Sequence, residues 1–202
     1  MNATPRRLLS ASAVVGCSLL LGGLTSWAQG VLPDALASFA NSPSGWTALT
    51  ALLVAAVRPS LPWGAALGVA SFVALVLGYT AASELRGLAY DPVLWSVVGI
   101  IAGPFVGAAA AAVVGSRPAH SALGAGALAG VLFADGIYGL TFVSASTSPV
   151  YWSLCLAAGA VLVAFTVRRL RATPEVAAGV VASAVAATVV LSLGYVVLTT
   201  VP

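Results

Sequence analysis

Lysine is absent from this 202-residue chain, there is one histidine, and charged residues make up only 6% of it. A soluble domain carries about 25% charged residues, so water is not the main solvent of this surface. The scarcity of polar residues also excludes a disordered chain, which needs low hydrophobicity and high charge. The eight basic residues are all arginine, scattered over short connectors, and the net charge is +3. No basic stripe for nucleic acid exists. One His and two separated Cys cannot supply a zinc site with a normal ligand count. Cys17 and Cys155 both lie in apolar runs and read as small buried hydrophobes. Neither a metal nor a cofactor is expected.

What is present is apolar: 60% of the residues, with a mean hydropathy of +1.07. A chain of this size cannot hide so much apolar surface from water. The composition therefore predicts a multi-pass membrane protein, one integral membrane domain over 1–202. Hydrocarbon about 30 Å thick takes about 20 helical residues to cross. Seven runs come near that length: residues 8–27, 43–57, 63–83, 93–114, 122–143, 151–167 and 174–201. Proline at helix starts (Pro43, Pro62, Pro92, Pro174) fits the first turn, where its missing N–H is not needed.

The first run follows Arg6 and Arg7, as in a signal peptide, and Ser26-Trp27-Ala28 offers small residues for cleavage. Its 20 residues are long enough to span, and the sequence after Cys17 is apolar where a lipid-anchored Cys has a polar tether. An uncleaved first helix is expected. The second run, only 15 residues, is the weakest. Ahead of it Leu32, Leu36, Phe39 and Ala40 alternate with Asp34, Ser38 and Asn41, the pattern of a short amphipathic helix at the interface. The alternative is one long second helix interrupted near Pro43. With seven spans and the N-terminus inside, Arg6, Arg7, Arg58, Arg117, Arg168, Arg169 and Arg171 are cytoplasmic and Arg86 alone is outside. The expectation is thus an all-α polytopic bundle in the cytoplasmic membrane, a bacterial inner membrane if the source is bacterial, with the C-terminus outside.

Gly99, Gly103, Gly107, Ala111 and Gly115 recur every four residues. Such a stripe lets a neighbouring backbone approach, within the bundle or across a homodimer. Asp135 is the one acid well inside a span, about 12 Å below the outer end of its helix at 1.5 Å per residue. An intramembrane acid is a functional hypothesis by default; a polar clamp between helices is the plainer account. Tyr138 shares its helix face, and Gln29, Tyr79, Thr80 and Arg86 are its expected partners, with Glu84 on the same side. Most tyrosines and tryptophans also fall in the outer half. They form an interfacial belt or line an outward pocket suited to a cationic or hydroxylated solute.

Enzyme motifs such as H-E-x-x-H, a Walker loop or G-x-S-x-G do not occur, and His120 reads as a connector residue. No catalytic residue is assigned. Two function classes remain: binding or transport of a small solute from the outer side, and a structural or partner-binding membrane subunit. An intramembrane enzyme comes last for want of a motif.

The stretches Gly23-Leu24-Thr25-Ser26-Trp27-Ala28-Gln29-Gly30, Leu32-Pro33-Asp34, Leu85-Arg86-Gly87, Gly103-Pro104, Asp135-Gly136-Ile137-Tyr138-Gly139 and Ser148-Pro149-Val150-Tyr151-Trp152 resemble an uncharacterised family of high-GC bacterial membrane proteins, domain of unknown function 6518. The resemblance covers most of residues 20–155. It implies a multi-pass membrane protein and no known activity.

Overall fold

A computed structural model describes the backbone of residues 3–200, and side chains from Pro5 to Val197 apart from Arg6. The chain end at Pro202, expected outside the membrane, lies beyond the described residues. Among the described residues six helices are long and apolar enough to cross a membrane: α1 (Ala3–Val31), α4 (Leu61–Leu85), α5 (Val93–Val113), α6 (Pro118–Tyr138), α7 (Pro149–Arg169) and α8 (Pro174–Thr200). Helices are the outcome lipid permits, because a backbone in hydrocarbon must satisfy its own hydrogen bonds. A π-helical turn, Gly139–Val143, extends α6. The protein is an all-α, multi-pass membrane bundle.

The remaining run behaves differently. Residues 43–56 form α3 (Pro43–Ala56), whose 14 residues cover about 21 Å, short of a full crossing. Yet the chain must return across the bundle here, because α1 and α4 pack parallel: Ser18 meets Ser71 at 2.8 Å and Ser26 meets Ser83 at 2.9 Å. The crossing is completed by α2 (Asp34–Ala37) and a 3-10 turn, Ser38–Asn41. Exposure falls along this segment, from an exposed Asp34 to Ala40 at 0%. The segment therefore dips inward instead of lying flat. It breaks at Ser42, whose extended backbone (φ −129°, ψ 150°) separates the turn from α3. The second span is thus an interrupted helix.

The other helices alternate in direction. α5 is antiparallel to α4 along small residues: a Cβ on Gly68 would lie 2.1 Å from the Gly103 carbonyl oxygen, and one on Gly107 2.0 Å from the Gly64 carbonyl. Gly99 lies against the Phe72 ring. The α5 stripe thus packs inside the chain, backbone to backbone. α6 runs antiparallel to α5 and α7, and parallel to α8, where Thr188 donates to the Gly130 carbonyl at 3.2 Å. These directions gather the helix ends carrying Arg6, Arg7, Arg58, Arg117, Arg168, Arg169 and Arg171 at one end of the bundle and leave Arg86 at the other.

Cys155 is buried, whereas Cys17 is exposed on α1 and does not pack as a core hydrophobe. Outward rows such as Ile100, Ile101 and Phe105 on α5 and Val185, Val189 and Leu193 on α8 are the surface expected toward lipid.

Candidate functional site

The interruption at Ser42 creates a helix N-terminus inside the bundle, and its free amides must be paired there. Pro43 has no N–H. The Ser44 N–H donates to Asp135 Oδ2 at 2.9 Å, the Gly45 N–H to Ser42 Oγ at 3.1 Å, and the Trp46 N–H to the Ser42 carbonyl at 3.1 Å. Ser42-Pro43-Ser44-Gly45 is a capping sequence in which Asp135 supplies the acceptor that local sequence lacks. A carboxylate at a helix N-terminus also meets the positive end of the helix dipole.

Asp135 is 1% exposed. It sits about 25 Å along α6 from Pro118, at the depth where α3 begins. Besides the Ser44 amide it accepts hydrogen bonds from the Ser44 hydroxyl and, at 2.5 Å, from the Tyr195 hydroxyl. The Tyr195 ring stacks on Tyr138, centroids 4.2 Å apart and 11° from parallel. From α7, the Tyr151 hydroxyl is 2.7 Å from both Ser42 Oγ and Ser44 Oγ, and Cys155 Sγ lies 3.5 Å from Ser44 Oγ. The result is a buried layer of hydroxyls around one carboxyl.

Glycines beside Asp135 let α7 come this close. A Cβ on Gly139 would fall 1.9 Å from the Trp152 ring, and one on Gly136 2.9 Å from the Trp152 carbonyl oxygen. Trp152 is held from the other side by its Nε1–H, which donates to Thr147 Oγ1 at 2.9 Å. With Trp152 seated on the glycines, its neighbour Tyr151 reaches Ser42 and Ser44.

The residues singled out by sequence separate into two groups. Asp135 and Tyr138 belong to this layer. Gln29, Tyr79 and Arg86 do not bond to Asp135: Gln29 donates to the Tyr79 hydroxyl at 2.9 Å, and Arg86 donates to the Ser26 carbonyl and, at 3.1 Å, its hydroxyl, 4.9 Å from the Trp27 ring. Thr80 donates to the Val76 carbonyl of its own helix. Glu84 is exposed. The expected meeting with α1 and α4 fails because α3 contacts α1, α4, α5 and α6 and occupies the space between them. Ser42, Ser44, Tyr151, Cys155 and Tyr195 complete the layer. The serines carried a capping pattern that could have been read, but nothing local tied it to residue 135.

Next to the break lies a recess of about 20 Å³, lined by Asn41, Ser42, Trp46, Phe72, Tyr90 and Trp95, large enough for a water molecule. Tyr79 backs this wall, 5.7 Å from Trp46 and 4.6 Å from Tyr90 between ring centroids. Burial pushes the Tyr90 phenol up to about 12, with Tyr79 and Asp91 adding to the rise, so it meets the recess as a neutral hydroxyl. At the arginine-rich end a second recess of about 220 Å³ is lined by Ser60, Ser116, Arg117 and His120 among others; His120 sits in the first turn of α6, partly buried, and not in a free loop. Among the described residues no three His, Cys, Asp or Glu side chains stand together as metal ligands.

Fold and site define a polytopic α-helical membrane protein with one interrupted span capped by a buried acid. The chain belongs to the family of unknown function DUF6518, which matches residues 1–200. Neither the curated proteins nor the solved structures hold a match to it.

Proposed function

We propose that this protein binds a small cationic or hydroxylated solute from the outer side of the cytoplasmic membrane and passes it inward, with no chemical conversion. The arginine-rich end is the cytoplasmic one under the positive-inside rule, which makes the Arg86 end, with its aromatic recess, the outer one. The observation that carries the reading is the interrupted second span. Transport sites near mid-membrane are commonly built where a discontinuous helix exposes backbone ends; here the break lies between the ring-lined recess and Asp135. Four aromatic side chains and the Asn41 amide line this opening, a chemistry that suits a cation or a polyol once the water-sized recess widens to admit it.

The test is titration of the protein in lipid nanodiscs with choline and with glycerol, read by tryptophan fluorescence from Trp46 and Trp95. A saturable change that is lost in Tyr90→Leu supports the reading. No saturable change with either probe overturns it for these two solute classes.

A second reading has the Ser44–Asp135 bond in its favour. As a cap, Asp135 stabilises α3 and the protein serves as a structural or partner-binding subunit. In that case Asp135→Asn, which keeps a carbonyl acceptor for the Ser44 amide, stays folded, and solute responses are absent from wild type and variant alike.

A further inference from the structure

The hydroxyls around Asp135 form an unbroken path. Ser42 lines the outer recess. Its Oγ is 2.7 Å from the Tyr151 hydroxyl, which is 2.7 Å from Ser44 Oγ, and the Ser44 hydroxyl in turn donates to Asp135 Oδ2. Each of these three hydroxyls is able both to give and to accept a hydrogen bond, the property that separates a relay from a set of caps. The recess holds one water-sized space at the head of the path.

We infer that Asp135 is a proton-exchanging site loaded from the outer recess through Ser42, Tyr151 and Ser44. The inference rests on the reading of this layer as the working part of a transport protein. The transfer balances as a concerted shift. A hydronium ion reaching the recess gives a proton to Ser42 Oγ, the Ser42 hydroxyl proton passes to Tyr151, that of Tyr151 to Ser44, and that of Ser44 to the Asp135 carboxylate. Every hydroxyl ends neutral, the hydronium ends as water, and the carboxylate becomes a carboxylic acid. The reverse shift unloads it.

The groups facing Asp135 permit this. Tyr195 from α8 donates to the other oxygen, Oδ1, and stands off the path. Tyr138 of α6 stacks behind Tyr195. Tyr151 and Cys155 are the groups from α7, and α3 contributes Ser44. The Arg86 guanidinium is engaged by Ser26, so it does not lock the acid in an ion pair. Protonation makes the Asp135 carboxyl a weaker acceptor for the Ser44 amide, so proton uptake weakens the bond that holds α3 against α6. A proton at this position thus couples to the interrupted helix.

The experiment is infrared spectroscopy of the protein in nanodiscs. The chain has only five carboxyl side chains, so the wild-type minus Asp135→Asn difference isolates one of them. The expected result is a protonated-carboxyl carbonyl band that grows on acidification, is absent from Asp135→Asn, and shifts rapidly on transfer to heavy water. Ser42 Oγ also stands 3.2 Å from Ser44 Oγ, so Ser44→Ala, which cuts both routes, slows exchange about tenfold or more, a barrier rise of about 1.4 kcal/mol, and Tyr151→Phe keeps the band and slows its exchange less. Ser44→Ala retains the backbone amide bond to Asp135, and Tyr151→Phe serves if that variant does not fold. Tyr195→Phe leaves the exchange rate near wild type. A silent carboxyl at every pH, or exchange as fast in Ser44→Ala as in wild type, overturns the proposal. An exchanging, relay-dependent carboxyl in a protein without solute response overturns the solute reading alone.

Discussion

The Ser44 amide donates to the Asp135 carboxyl at 2.9 Å across 91 residues of sequence, so the acid that most disfavours burial and the helix end that most needs an acceptor answer each other. Both would be costly in hydrocarbon alone. A buried donor without a partner costs about 1–3 kcal/mol, and an aspartate at a helix centre about 2.5–3.5 kcal/mol on insertion scales.

Substitution of Asp135 therefore separates shape from hydrogen bonding. Asp135→Leu strands the Ser44 amide and the Tyr195 hydroxyl together, and thermal melting in detergent is expected to fall well below wild type. Asp135→Asn keeps one carbonyl acceptor and is expected to fall between the two. A leucine variant that melts with wild type would sink the capping account.

Gly68→Ala is expected to destabilise the bundle by about 1–3 kcal/mol, the usual range for overpacking, because its Cβ would meet the Gly103 carbonyl oxygen at 2.1 Å. Gly179→Ala is the control: nothing lies within 4 Å of its Cβ, and alanine favours the helix by about 0.5–1 kcal/mol. Detergent melting of the two variants should move in opposite directions.

The Ser18–Ser71 and Ser26–Ser83 bonds tie α1 to α4. A double-mutant cycle of Ser18→Ala and Ser71→Ala should yield a coupling of about 0.6 kcal/mol, the average for interhelical hydrogen bonds in membranes. A coupling of zero would assign the pair's closeness to packing alone.

Cysteine labelling of whole cells tests the orientation. Leu88 and Ser116 are exposed at opposite ends. Under the proposed topology a membrane-impermeant maleimide labels Leu88→Cys in intact cells and Ser116→Cys only after lysis, with the wild-type chain as background control. The reverse pattern would invert the molecule in the membrane.

Fold class was legible before any coordinate, because a bilayer leaves a chain this apolar few choices beyond helices that satisfy their own backbones. Asp135 was legible for the same reason, as an acid inside an apolar run, and so was the glycine stripe, since four-residue spacing puts its members on one face. Periodicity carries no information about which helix meets which, and here the tertiary structure decided the rest. Parallel packing of α1 and α4 forces the short second run to complete a crossing that its own 14-residue helix cannot make. The break at Ser42 then sets a helix N-terminus at the level of Asp135 and keeps Gln29, Tyr79 and Arg86 away from it. Hydroxyls at 42, 44, 151 and 195 converge on that acid from three helices and one turn. Each is an ordinary serine or tyrosine in sequence, and only the shared depth of those elements makes them one site.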